Sequence, residues 1–448
     1  MNASRLLASL AVLLALAGPV RAEAAPGEGF DVVGYDLFLS PDVQTGTVVG
    51  RETITLRILD QGLQRLAFSG NALVIDSASV DGAPVTVRSE ETALGVDLQQ
   101  PLAKGTRLKL TLTYHGQPRR GLVRSPNALH TRYFACDWMV CAQDQFGDKA
   151  AFRLELRIPA GLEALAVGRR VARRAGAEGG EIQTWRTPRP YPAYLFGFAM
   201  GRFARAEDRV GSTRLSYLSD VASPAELKRR FAGTAEMVRF LSDKAGARLP
   251  ADDYGQLLVA GDEAQEQATY AVLGVEALPA KADDPAEDWA IVHELAHQWW
   301  GNLVTCASLR DFWLNEGITT FMTAAWKEHR YGRAAYDAEL AVARRRLDKA
   351  RTAGFDKPLA WDGAYPSLGV RRAIQYSKGA LFMDHLRGAL GEKAFWAGLR
   401  RYTRAHAGGV VTSLDLQKAM EASSGRDLGP LFAEWVFGSA TPATAAGS

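Results

Sequence analysis

The period of the apolar residues changes partway along this chain, and that change sets the fold class. From Phe30 to about Phe203, "YDLFLS", "VVGRETITLRI", "ALVIDSASV", "VTVRS", "RLKLTLTY" and "AFRLELRI" alternate apolar with polar residues between Gly-, Pro- and Asp-rich turns. A period of two belongs to half-buried strands. Their spacing predicts an antiparallel sandwich or saddle of sheets over residues 27–204, closed by "YLFGFAMGRF" (Tyr194 to Phe203) as a last buried strand. From Ser223 the spacing is helical. "SPAELKRRFAGTAEMVRFLSDKAG" opens on a Ser N-cap with Glu226 three residues on, a capping box. "YGQLLVAG" (Tyr254 to Gly261) reads as a short strand, and helices are expected at 286–300, 314–331, 333–353, 374–390, 392–407 and 413–423. The expectation is an α+β multidomain chain: a β domain, a mainly helical domain at 205–440, and a small polar tail at 441–448 that should fray.

The first residues do not read as part of the fold. Arg5 precedes an apolar run from Leu6 to Ala17, and Val20-Arg21-Ala22 offers small residues for cleavage. This resembles a secretory signal peptide at residues 1–22, and implies export to a periplasm or the extracellular space. The apolar run is too short to span a bilayer comfortably, and no later run is long enough. The formal charge is +3 with signs interspersed, which does not suggest a nucleic-acid partner. Arg344, Arg345 and Arg346 read as a solvated helix face. An oxidising compartment permits one disulfide among Cys136, Cys141 and Cys306. Cys136 and Cys141 are close enough in sequence to pair, and two unpaired thiols remain open as the alternative. Cys306 reads as a buried thiol.

Chemistry concentrates in "IVHELAHQWWGN", Ile291 to Asn302. Residues four apart share a helix face, so His293 and His297 can offer two imidazoles to one ion. Glu294 lies about 100° around the helix and suits a general base rather than a ligand. A catalytic zinc needs a third protein ligand and one open position. "DFWLNEGITTF" supplies Glu316, with eighteen residues between it and His297. Asn315, beside it, is a candidate support for the ligands.

"VHELAHQWWGNLVT" followed by "WLNEG" resembles the gluzincin zinc metallopeptidases of the aminopeptidase N and leukotriene hydrolase family, in a short two-domain form. "QYSKGALFMDHL" (Gln375 to Leu386) resembles that family's tyrosine motif, and "DWMVCAQDQFGDKAAF" (Asp137 to Phe152) a segment of its N-terminal domain. The resemblance implies a thermolysin-like catalytic domain and one Zn²⁺ per chain on His293, His297 and Glu316. It also implies Glu294 and Tyr376 in catalysis, with Tyr376 donating to the oxyanion. The substrate would be a peptide with a free N-terminus, its amine held by Glu266. The oligomeric state stays open.

The resemblance breaks at the amine-binding segment. The family's glycine-x-methionine-glutamate-asparagine reads here Glu263-Ala264-Gln265-Glu266-Gln267. Glu263 adds bulk and charge where the glycine lets a substrate backbone approach, Gln265 makes the first specificity pocket more polar, and the acidic cluster can attract a second cation. A zinc hydrolase of other specificity, such as an endopeptidase or a hydrolase of modified amino acids or peptides, is therefore the alternative. The chain also stops at Ser448, without the helical roof of larger relatives, which leads us to expect a more open cleft.

Overall fold

A computed structural model describes residues 24–278 and 288–438. The expected leader at 1–22 and tail at 441–448 lie outside these residues.

The alternating segments form strands as their period requires. Phe30–Pro41, Val48–Ile58, Arg107–Gly116 and Lys149–Ile158 each turn one row of side chains into a common core and the other outward. They lie together in a nine-stranded sheet, with three- and four-stranded sheets beside it. Its pairing is antiparallel except where Phe30–Pro41 runs parallel to Lys149–Ile158. Leu37, Leu39, Ile54, Leu56, Leu110, Leu154 and Leu156 fill the core. Each such buried side chain contributes roughly 1.5–3 kcal/mol. Cys136 and Cys141 are joined by a disulfide, and Cys306 is free and buried.

A five-stranded sheet begins at Ala204, and the sequence reading assigns only one of its strands. It comprises Ala204–Val210, Thr213–Ser219, Asp253–Val259, Tyr270–Gly274 and, at one edge, Ala264–Gln267. Its central strands are buried on both faces. Leu257, Val259 and Val272 pack into the β core, while Tyr254, Leu258 and Leu273 pack against the helices. A strand covered on both sides loses the alternation that would announce it.

The helical part departs from expectation in detail. The first expected helix is two, Pro224–Arg230 and Thr234–Ala245, broken at Gly233, a poor helix former. Ser223 caps Glu226 N–H, but Glu226's own carboxylate pairs with Arg230, leaving the capping box half made. The helices expected at 374–390 and 392–407 meet at Gly391, whose φ of +73° breaks the helix. Tyr376 lies in a π-helical turn, Arg372–Lys378. Arg344, Arg345 and Arg346 are solvated on Arg333–Thr352. No described helix is long and apolar enough to cross a membrane.

Candidate active site

Three elements converge at the edge strand of the five-stranded sheet. The helix Trp289–Ala296 is apolar and buried along nearly all its length, ending with His297 as its C-cap. It stops short of Trp300 because the chain turns back at Gly301, where φ is +128° and Asn302 N–H donates to His297 O. His293 and His297 thus emerge from the last turn into the space below Trp313–Tyr331, which carries Glu316 in its first turn.

The three candidate ligand atoms form a near-equilateral triangle. His293 Nε2 is 3.3 Å and His297 Nε2 3.4 Å from Glu316 Oε2, and the two Nε2 atoms are 3.2 Å apart. Ligands of one tetrahedral zinc at ~2.0–2.2 Å sit about 3.3–3.5 Å from each other, so these atoms match the ion's geometry. The tautomer agrees. His297 Nδ1 lies 3.0 Å from Trp300 O, and a carbonyl only accepts, so Nδ1 carries a proton and Nε2 is the nitrogen left facing the centre. The charge agrees too. Burial opposes protonation of His297, but Glu316, Glu266 and Glu294 outweigh it and push its pKa up to about 10. The centre demands a cation, and these residues fit a zinc ion.

Glu294 is buried, and its Oε2 has no hydrogen-bond partner. Burial raises its pKa well above the carboxyl range, His297 opposing and Glu266 and Glu316 reinforcing. Glu294, Glu266 and His297 bring ligand-type atoms within 4.8 Å of one another. Glu266 is itself buried on Ala264–Gln267, accepts 2.7 Å from Gln265 Nε2, and is pushed up to about 7, chiefly by burial. The Tyr376 ring stacks on the His293 imidazole, with centroids 5.8 Å apart and planes 13° apart. Burial, then Glu316, Glu266 and Glu294, holds its phenol protonated. All six residues singled out from sequence therefore meet in one place.

Other readings change. Among the described residues Asn315 makes no side-chain hydrogen bond to the three ligands; it accepts from Cys306 N–H and donates to Tyr194 OH. Glu263 does not offer a free charge to substrate. Arg132 donates to it at 2.7 Å, and His130 Nε2 lies 3.2 Å away, so the β part neutralises it. Burial opposes its ionisation, but these two partners win and hold its pKa low. Gln298 and Asn302 escape the sequence reading. Gln298 bonds Thr269 N–H and Gln267 O, and Asn302 donates to Gln267 O, pinning the edge hairpin to the histidine helix. Only the polar spacing of "HQWWGN" hints at them.

A family model described as "Peptidase family M1 domain" matches residues 271–435. Aminopeptidase M1 of Arabidopsis thaliana is 24% identical over 90% of this chain and 49% of its own length. Leucyl aminopeptidase of Saccharolobus solfataricus is 24% identical over 90% and 53%. Aminopeptidase N of Escherichia coli is 27% identical over 62% and 33%. The chain thus spans about half, or less, of the length of these curated relatives. A solved structure of a mutant M1 zinc metallopeptidase from Deinococcus radiodurans superposes with a TM-score of 0.78 at 24% identity, covering 94% of this chain and 97% of that one. The matched domain encloses both histidines, Glu316 and Tyr376, and the β-then-helical fold is shared along nearly the whole chain.

Proposed function

We propose that this chain is a zinc-dependent aminopeptidase that hydrolyses the first peptide bond of peptides with a free N-terminus. The observation that carries the reading is Glu266, a buried carboxylate beside Glu294 and the ligand triangle but outside it. Aminopeptidase names among the relatives support it. A Deinococcus radiodurans neighbour is described as bound to a Tyr-Ser-Ala substrate.

His293, His297 and Glu316 would hold the ion. Zinc, when bound, supplies Lewis acidity that lowers the pKa of water toward ~7 and polarises a carbonyl. Glu266 accepts hydrogen bonds from the substrate's α-ammonium, placing the first peptide bond at the centre. Glu294, with its Oε2 uncommitted, takes a proton from the attacking water and passes it to the leaving amine. Tyr376 donates its phenol proton in a hydrogen bond to the developing oxyanion. The Cys136–Cys141 disulfide supports export to an oxidising compartment, with residues 1–22 as the leader.

The test is turnover of aminoacyl fluorogenic amides beside their N-acetylated twins by purified, zinc-loaded protein. Free amines alone should react, chelator should abolish the reaction, and zinc should restore it. Equal cleavage of the acetylated twins would sink the aminopeptidase reading in favour of a zinc hydrolase of other specificity.

A further inference from the structure

Behind the catalytic hairpin, three arginines stand abreast on one sheet face. Arg153 on Lys149–Ile158 lies opposite Arg186 on Glu181–Arg186, and Arg186 lies opposite Arg169 on Arg169–Ala175. Like charges placed directly across strands repel. Arg153 is answered by Asp36 and Glu155. Among the described residues, neither Arg169 nor Arg186 has a side-chain hydrogen bond or a carboxylate within 4.0 Å.

All three line a crevice of about 530 Å³, where the nine-stranded sheet meets the start of Asp253–Val259. An adjoining recess of about 130 Å³ shares Gly168, Asp253 and Thr269 with it and adds Arg170, Arg205 and Arg214. The carboxylates lining the two spaces are Asp252 and Asp253, and Arg214 already holds Asp253 with two hydrogen bonds. Charge that guards a sheet edge against pairing accounts for Arg169, on the edge strand. It does not account for Arg186, one strand further in, nor for the crevice.

We infer that this crevice binds a small multivalent oxyanion of the condensed-phosphate or polysulfate kind, clasped by Arg169 and Arg186. The guanidinium fork matches such oxygens in pairs, and a bound anion relieves the repulsion along the row. The crevice also abuts the catalytic hairpin. Thr269 lines it with a φ of +75°, accepts from Gly168 N–H at 2.8 Å, and donates its own N–H to Gln298, the neighbour of His297. An occupant therefore sits against the strut that holds the strand of Glu266.

This inference does not depend on the peptidase reading, and its test reads binding alone. Zinc-loaded, full-length protein is titrated into the trisulfonated dye pyranine at about 0.15 M salt. Sulfonates are poor zinc ligands, so the metal stays in place. Fluorescence anisotropy should show saturable binding that pyrophosphate displaces. The Arg169→Gln/Arg186→Gln variant should bind at least tenfold more weakly while melting no lower than wild type, since the repulsion is gone. Should the double variant melt lower, Arg186→Gln alone carries the test. The Arg344→Gln/Arg345→Gln variant, on a remote helix, should bind as wild type does. Absence of saturable binding to wild type, undiminished binding in the crevice variants, or an equal loss in the remote variant would overturn the site.

Discussion

Glu294 and Glu316 are buried carboxylates in one centre that are driven in opposite directions. Burial disfavours ionisation at both. At Glu316 the imidazoles of His297 and His293 outweigh it and hold the carboxyl ionised, whereas Glu294 is left well above the usual range. Glu316 lies ionised within the ligand triangle and Glu294 lies outside it, as the proposed roles of ligand and base require. Glu294→Gln should therefore retain zinc and lose turnover, while His297→Ala should lose the metal. Elemental analysis beside an activity assay checks both, and zinc-free Glu294→Gln protein would contradict the assignment. Tyr376→Phe removes the proposed oxyanion donor while keeping the ring that stacks on His293. It should lower kcat by ~10²–10³ with metal content unchanged. A kcat within a factor of three of wild type would exclude the phenol from the transition state. His293 and His297 are legible from spacing alone, because helical periodicity fixes which residues share a face, with Glu294 one step around the same helix; Glu316 stands on another helix, and sequence offers it only as the carboxylate a third ligand would need. Tyr376 is not, since a tyrosine near a Lys-Gly pair has no local pattern of its own.

The helix bearing Glu316 and the turn bearing Tyr376 touch backbone to backbone. A Cβ placed on Gly317 would lie 2.7 Å from Gly379 Cα, and the reverse holds for Gly379. Neither backbone can yield without moving the element that carries a site residue. Gly379→Ala should splay the two helices, cost about 1–3 kcal/mol of stability, and lower kcat by about tenfold or more. Kinetics and melting on the zinc-loaded variant would show this, and unchanged kcat would mean the approach positions nothing. The π-turn Arg372–Lys378 has the same tertiary origin. Lys378 anchors its end to Asp356 and to Lys357 O, and Gln375 Nε2 donates to Leu309 O. An extra residue in a turn is chosen by such anchors and has no signal in apolar spacing.

The β part and the helical part share the five-stranded sheet and are tied beside the site. Lys149 is half-buried and donates to Gly409 O at 2.7 Å, and to Asn302 O and Leu303 O in the loop after the histidine helix. The β part also carries a pH liability of its own. Glu52 is fully buried, has one unpartnered oxygen, and is pushed by burial from 4.5 up to about 8. A raised folded pKa gives stability that is complete below 4.5 and is lost as pH rises through about 8. The loss runs at about 1.4 kcal/mol per pH unit within that window. Glu52→Gln should therefore gain on wild type between pH 5 and pH 8 in denaturant midpoint. A difference that does not change with pH would contradict a buried, titrating Glu52.

The bare chain specifies whatever repeats at short range. Alternation places the outer strands, a four-residue interval pairs the histidines, and Ser223 starts a helix, because each depends on neighbours along one element. Folding alone specifies what joins distant segments. Glu263 meets His130 across 133 residues, and so loses the free charge that its local acidic setting implies. The strand Tyr270–Gly274 beside the site is hidden from periodicity because both of its faces are buried. The ligand triangle shows both at once: spacing chooses two of its corners, and only packing of Trp313–Tyr331 onto the histidine helix brings the third within 3.4 Å.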